Sequence, residues 1–321
     1  MNLLSTRHTV ALLALAFAAG ACMPLAAQPA TSAQGSLVQL RIATGKPGKG
    51  FSKVFADIRS VCGATVPLVE IETEGGLQNL TALAANKTDL GFVQVDTFAT
   101  MQDSDASIAT LQAVMPMNAN LLHVVARNSG YELPRTGLLE KLTSSKFVTI
   151  TSFGELRGLP VAVVGSARAL ARELNRVQSL GLQFVDVGTD EEGLARLKRG
   201  DVAALLSTSG WPSGPILALK RGDGFHLVRY DAKVQEPYLI STRSYENVDG
   251  FKLAFLGVPN VLMSRPFTPG GAYGRTVATL KDCIRRNLLT LREGPYEPMW
   301  QEVKLDPLAA TVGKTSGAVA R

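Results

Sequence analysis

The sequence predicts an α/β fold of two lobes, with two hinge crossings of the chain and a ligand cleft between them. Three observations carry that prediction. Short apolar runs alternate with amphipathic helical windows from about residue 37 onward. A polar stretch over 128–145, with Gly130 and Pro134, interrupts the alternation, and a second β-α series begins near Phe147. A third stretch, 232–303, then ends in a long helical window that has no place in the second series, so the chain is expected to return to the first lobe. Two passages between lobes make a hinge, and a hinged cleft is a natural ligand site.

The first series opens with a strand at 38–44 and a glycine-rich loop at 45–50. Phe51, Val54, Phe55, Ile58 and Val61 then recur at helical spacing. A strand at 68–73, a helix at 77–86 and strands at 90–94 and 121–126 follow. This β-α-β-α-β order points to a parallel sheet carrying helices. In the second series, strands are expected at 160–164, 182–187, 202–207 and 226–230. Helices are expected at 166–180 and 190–198, closed by Gly181 and by Arg199-Gly200, with another after Pro212. The returning segment offers strands at 253–256 and 260–263. Its helix has a core face of Tyr273, Val277, Leu280, Ile284, Leu288 and Leu291. Lobe 1 is therefore expected over 37–145 and 235–305, and lobe 2 over 146–234.

Residues 1–27 have the build of a signal peptide. Arg7 and His8 precede an apolar run, Val10 to Ala21, which is too short to span a bilayer. Small residues permit cleavage after Ala21 or Ala27, and Pro24 and Pro29 disfavour a buried N-terminal helix. Ala-Gly-Ala-Cys, ending at Cys22, has the outline of a lipobox, but Ala19 stands where Leu is usual; the alternative is a cysteine lost with the signal. The expected location is the periplasm, with no stable membrane insertion. Residues 28–36 and 306–321 are rich in small and polar residues and are expected to be flexible. Cys62 and Cys283 remain, either as a disulfide of the oxidising compartment or as two buried apolar thiols.

The formal net charge of +6 is spread along the chain, so nucleic acid is excluded as a partner. Enzyme chemistry also lacks its parts. His123 and His226 lie in apolar, strand-like runs, no HExxH, CxxC or Gly-x-Ser-x-Gly occurs, and Gly165-Ser166-Ala167-Arg168 lacks the second glycine of a nucleophile elbow. No metal or cofactor is implied.

Three turns instead place polar groups where strands give way to helices. The first, 44–51, contains Thr44, Gly45, Lys46, Gly50 and Phe51, with glycines that let backbone N–H groups approach an anion. The second, 73–80, contains Thr73, Gly75, Gly76 and Asn79. In the third, 165–170, Ser166 can cap a helix after Gly165 and Arg168 can grip a carboxylate. Each turn alone reads as an ordinary helix cap; their shared place at the carboxyl ends of parallel strands points to a ligand site. Gln94, Asp96, Ser209 and Trp211 stand at further strand ends. Glu74 would repel an anion unless it points away or the ligand carries a cation.

These segments resemble a known family. RIATGKPGKGF, VEIETEGGLQNLTALAANKTDLGFVQVDT, LRGLPVAVVGSARALARELN and EEGLARLKRGDVAALLSTSGWPSGPI are similar to blocks of the TAXI family, the solute-binding subunits of a class of TRAP transporters. The resemblance covers most of 38–300. It implies a type II periplasmic binding-protein fold that closes on a small carboxylate or amino acid and passes it to TRAP-type membrane permease subunits. It also implies that ligand contacts fall on Thr44 to Phe51, Thr73 to Asn79, Gln94, Asp96, Gly165 to Arg168, and Ser209 to Pro212. On that reading Lys46 and the first-turn amides hold one end of the ligand, and Ser166 with Arg168 clamp its carboxylate. Lys46, Lys49, Phe51, Gly75-Gly76 and Ser166-Ala167-Arg168 depart from the family pattern. The identity of the solute thus stays open, and a permease-free subunit presenting its ligand to a membrane sensor is the alternative.

Overall fold

A computed structural model describes residues 36–134 and 145–304. The expected signal peptide, most of the expected flexible N-terminus, the 306–321 tail and 135–144 of the polar stretch lie outside the described residues. The first lobe begins with β1 (Leu40–Ala43), α1 (Gly50–Cys62), β2 (Leu68–Ile71), α2 (Gly76–Ala84), β3 (Leu90–Gln94), α3 (Val95–Gln102) and α4 (Ala106–Ala109). Then come β4 (Gln112–Arg127), the short pair β5 (Tyr131–Glu132) and β6 (Phe147–Val148), β7 (Pro160–Val164), α5 (Ala167–Gln178), β8 (Gln183–Val187), α6 (Asp190–Arg199) and β9 (Ala204–Ser209). The chain closes with α7 (Gly214–Leu217), β10 (Phe225–Leu227), β11 (Leu239–Arg243), β12 (Leu253–Ser264), α8 (Ala272–Arg286), α9 (Leu288–Glu293) and a 3-10 turn at 298–302.

Local sequence explains these elements. The buried face of α1 is Val54, Phe55, Ile58 and Cys62, one helical stripe. Thr189 caps α6 by accepting from the Glu192 amide, three acids fill its first turn, and Gly200 ends it at φ 85°. That charge order suits the helix dipole, and the left-handed end suits glycine.

The main sheet runs β2-β1-β3-β12-β4-β9-β7-β8. β1, β2 and β3 are mutually parallel, as are β7, β8 and β9. Between the two parallel sets run β4 and β12, antiparallel to each other. β4 pairs with β12 from Gln112 to Leu121 and with β9 from Leu121 to Ala126. β12 pairs with β3 from Asn260 to Ser264 and with β11 from Leu253 to Gly257. Each strand therefore belongs to one lobe at one end and to the other lobe at the other.

Both strands are longer than the sequence suggests. Residues 253–256 and 260–263 form one strand, and β4 begins at Gln112 rather than Leu121. The apolar pattern is broken there by Pro116, Asn118, Asn120, Pro259 and Asn260. Pro259 and Pro116 flank a register shift between Pro259 and Val261, the kind of irregularity at which a strand tolerates proline. The pairing also places 121–127 and 239–257 with the second lobe, outside the 146–234 expected. Packing agrees: Tyr245, Val248 and Phe255 share a core with Leu197, Leu205 and Ile216.

Two long-range ties fix the first lobe. Cys62 at the end of α1 is disulfide-bonded to Cys283 in α8, with Cα atoms 6.0 Å apart. The second tie is Asp89. Its buried carboxylate accepts from the Arg41 amide (2.9 Å), from the Arg41 guanidinium (2.9 and 3.0 Å) and from Arg265 (2.6 Å). Burial pushes this carboxyl up, but the bonds from Arg41 and Arg265 outweigh it and hold it below the usual range.

Reducing the disulfide, which closes a 221-residue separation, is expected to cost about 5 kcal/mol in urea unfolding by the chain-entropy relation. Asp89→Asn is expected to cost roughly 3–5 kcal/mol, because two guanidinium groups lose their buried partner. The contribution of Asp89 is present above the ordinary carboxylate pKa of about 4 and is lost as pH falls through the depressed value, so acid unfolding of Asp89→Asn should be shallower below pH ~4.

Candidate functional site

The register shows where the lobes meet. Gln94, the last residue of β3, pairs with Asn260, and Ser209, the last of β9, pairs with Leu121. The carboxyl ends of both parallel sets therefore face one another across the junction where β4 and β12 change lobes. The three turns and the further strand-end residues identified from sequence all lie along this line.

In lobe 1 the turns are locked by one side chain. Asn79 is fully buried and donates to the carbonyls of Thr44 (2.6 Å) and Phe92 (2.8 Å). Its Oδ1 accepts from the Thr73 hydroxyl (2.5 Å), whose oxygen accepts from the Gly75 amide (3.1 Å). One amide thus ties the ends of β1 and β3 to the turn after β2. Gly75 sits at φ 119°, a conformation that calls for glycine. Asn79, expected to contact ligand, has its polar atoms used within the protein. Thr44 is buried as well and donates to Glu70 (2.9 Å). Phe51, half-buried, stacks on Phe92 with ring centres 5.3 Å apart and packs on the core. Lys46 pairs with Glu74 at 2.8 Å, both exposed, so the repulsion expected from Glu74 is offset by its neighbour.

Gly45, Gly50 and Gly76 line the same edge. A side chain at Gly50 would come within 3.3 Å of the Met299 methyl, and one at Gly210 in lobe 2 within 3.0 Å of the same methyl. Met299 thus lies between the lobes. Gln94 is buried, and Asp96 in the first turn of α3 accepts from the Thr97 amide (2.6 Å). Burial pushes the Asp96 carboxyl up against the pull of its hydrogen bonds. Asp96 also borders a cavity of about 390 Å³ between α3 and α5, with Glu173, Arg176, Lys233 and Tyr238 around it.

In lobe 2, Gly165 at φ 58° turns the chain so that the Ser166 hydroxyl meets the Thr208 hydroxyl at 2.6 Å. Ser166 makes no side-chain cap of α5, contrary to expectation. Arg168, expected to clamp a ligand carboxylate, meets a carboxylate of the protein itself. Its Nε donates to Asp186 at 2.6 Å, and Arg172 lies 3.7 Å from the same carboxylate. β8 sets Asp186 beside Val163 on β7, so a strand far along the sequence supplies the acid that holds this arginine. Ser209 is half-buried and lies 3.4 Å from His123. The Trp211 ring is covered by the Arg243 guanidinium at 5.3 Å, and Arg243 also pairs with Glu302 of the C-terminal turn.

Other contributors were not read from the sequence. Asn260 donates to Asn120 (3.0 Å) and Asn118 (3.4 Å) at the crossing. Polar residues inside apolar strands were the available signal for these three. Asp190 begins α6, where burial pushes its carboxyl up while Ser207 and, across the junction, Lys49 oppose that shift. In the sequence it reads only as one of three helix-start acids. Among the described residues six buried side-chain polar atoms have no partner. Four of them belong to Asp190, Trp211, Ser213 and Asn260, at the junction.

With this geometry in place the comparisons are informative. A solved structure described as a periplasmic transporter superposes with a TM-score of 0.53 at 13% identity, over 86% of this chain and 93% of that one. The fold is that of the two-lobed periplasmic binding proteins. At such identity the likeness shows the fold and nothing finer. An ancestral arginine-binding protein bound to arginine (TM-score 0.48, 12% identity, 83% of this chain and 97% of that one) is a weaker likeness to the same fold. So is the GluR0 ligand-binding core with L-glutamate (0.48, 12%, 84% and 100%). No family model matches the chain, and no curated protein does. Among the described residues of this binding-protein fold, no helix is long and apolar enough to cross a membrane, and no acid, His or Cys group is arranged to hold a metal.

Asn79→Ala is expected to lower unfolding free energy by roughly 2–4 kcal/mol, because buried carbonyls and the Thr73 hydroxyl lose their partner. Urea unfolding checks this, and a loss under 1 kcal/mol would contradict the locking role.

Proposed function

We propose that the chain is a periplasmic solute-binding protein that captures a small organic acid or amino acid by hinge closure and delivers it to TRAP-type membrane permease subunits. The observation that carries this reading is the set of unpartnered polar atoms of Asp190, Trp211, Ser213 and Asn260 where the lobes meet. A buried donor or acceptor left unpaired costs about 1–3 kcal/mol, so a polar solute that pairs several of them favours the closed form. Asp190 and Asn260 offer acceptors, Trp211 a donor, and Ser213 either. Burial and Glu191 push the Asp190 carboxyl up, while Ser207 and Lys49 of lobe 1 pull it down, so charges of both signs act on it. That mixture suits a zwitterion or a hydroxylated acid better than a simple anion.

The described residues of the lobes on this reading are 36–119 with 260–304, and 121–134 with 145–257. The signal-peptide pattern of 1–27 supports a periplasmic location, and the resemblance of the 38–300 blocks to the TAXI family supports TRAP-type delivery.

A thermal-shift panel of amino acids, dicarboxylates, keto acids and neutral sugars tests the proposal. A solute at 1,000 times its Kd adds about 4 kcal/mol, a shift of about ten degrees for a chain of this size. Asp190→Asn should cut that solute's affinity about tenfold or more with the unliganded Tm little changed. No shift with any acid or amino acid would count against the solute class, and a sugar as the sole hit would replace it.

A further inference from the structure

Behind the half-buried Ser209 lies a buried chain of polar groups that the solute reading leaves unused. The Ser213 amide donates to the Tyr245 hydroxyl at 2.9 Å. That hydroxyl is 2.8 Å from Nε2 of His123, whose Nδ1 is 3.4 Å from the Ser209 hydroxyl. His123 is fully buried and Tyr245 is 2% exposed, so neither can turn to water for a partner. Phe255 packs against the imidazole with ring centres 5.4 Å apart.

Hydrogen-bond arithmetic gives this chain a direction. The Tyr245 oxygen accepts from Ser213, and its single hydrogen needs an acceptor. Nε2 of His123 is the acceptor in reach. If Nε2 carried the proton, the phenol hydrogen would be buried without a partner, at a cost of about 1–3 kcal/mol. Nε2 is therefore the bare nitrogen and Nδ1 carries the hydrogen, which points toward the Ser209 oxygen. The Leu121 carbonyl also hydrogen-bonds the ring, and Leu121 is the residue opposite Ser209 in the β4–β9 pairing. A carbonyl only accepts, so it calls for a ring N–H, and with Nε2 taken by the Tyr245 hydroxyl that N–H is the one on Nδ1, shared with the Ser209 oxygen.

We infer that His123 is a positioning residue, held by Tyr245 as the Nδ1–H tautomer, which leaves the Ser209 hydroxyl hydrogen for the solute and so selects a carbonyl or carboxylate oxygen at that point. The inference rests on the solute-binding reading and names the chemistry of one contact within it. Burial pushes the His123 imidazole down to about 3 and the Tyr245 phenol up, so both stay neutral near pH 7 and the direction does not reverse. The same burial argues against a Ser209–His123 nucleophile and base, since an imidazole that resists protonation so strongly is a poor proton acceptor.

The test uses the mature protein labelled with 15N-histidine and long-range 15N–1H correlation spectra from pH 5 to 9, with His226→Gln for assignment. The expected result is a His123 Nδ1 that is protonated and an Nε2 that is not, at every pH. Tyr245→Phe should disturb that pattern and His226→Gln should leave it intact. A protonated Nε2, or an imidazolium at any pH in the range, overturns the inference. Affinity is then read with L-alanine, L-glutamate and succinate as probes. Ser209→Ala should weaken the bound probe about tenfold. Tyr245→Phe should weaken it in the wild type but by less than about twofold more in the Ser209→Ala background, because the two act through one contact. Full additivity would contradict the relay. If no probe binds, the solute reading fails for these probes, while the spectra still decide the tautomer.

Discussion

Everything in this molecule depends on two antiparallel strands that each serve two lobes. β4 and β12 hydrogen-bond to each other at the junction, then part to join β9 and β10 on one side and β3 on the other. Because they run through the middle of the sheet, both parallel sets must turn their carboxyl ends toward the crossing. Parallel strands followed by helices place their loops at those ends. The polar turns of both lobes are thus brought face to face by sheet topology, before any side chain makes a contact. The same topology limits the covalent link between lobes to these strands, which is what lets the lobes move as bodies.

The C-terminal segment adds a second constraint. The disulfide holds α8 to α1 in lobe 1, and the following turn reaches over the junction. Met299 lies between Gly50 and Gly210, and Glu302 pairs with Arg243 of lobe 2. Trp300 anchors the turn by donating to Asp57 (2.8 Å). Motion of one lobe must therefore slide or break the Arg243–Glu302 contact, while the Trp300–Asp57 anchor stays within lobe 1.

Much of the fold was legible because its elements obey local rules. The α1 stripe, the glycine end of α6, and the short strands of both parallel sets follow from spacing and composition. The long crossing strands were not, because Pro116, Pro259 and the asparagines at 118, 120 and 260 break the apolar pattern at the point where two lobes share a strand. The site divides in the same way. Thr44, Gly75, Ser166 and Ser209 sit at the strand ends where sequence placed them. Lys46, Arg168 and Asn79 each have a protein partner the sequence does not place: Glu74 across a turn, Asp186 on the adjacent strand, and the ends of three strands at once. Opposite charges offset these two exposed cations, Glu74 for Lys46 and Asp186 for Arg168.

The central claim is that the lobes close on a polar solute at this junction. Small-angle X-ray scattering of the mature protein, alone and with a saturating amino acid or organic acid, tests it most directly. A smaller radius of gyration with solute is predicted, with two-state behaviour across a titration. Binding with an unchanged scattering profile would contradict hinge closure, and would place the solute somewhere other than between the lobes.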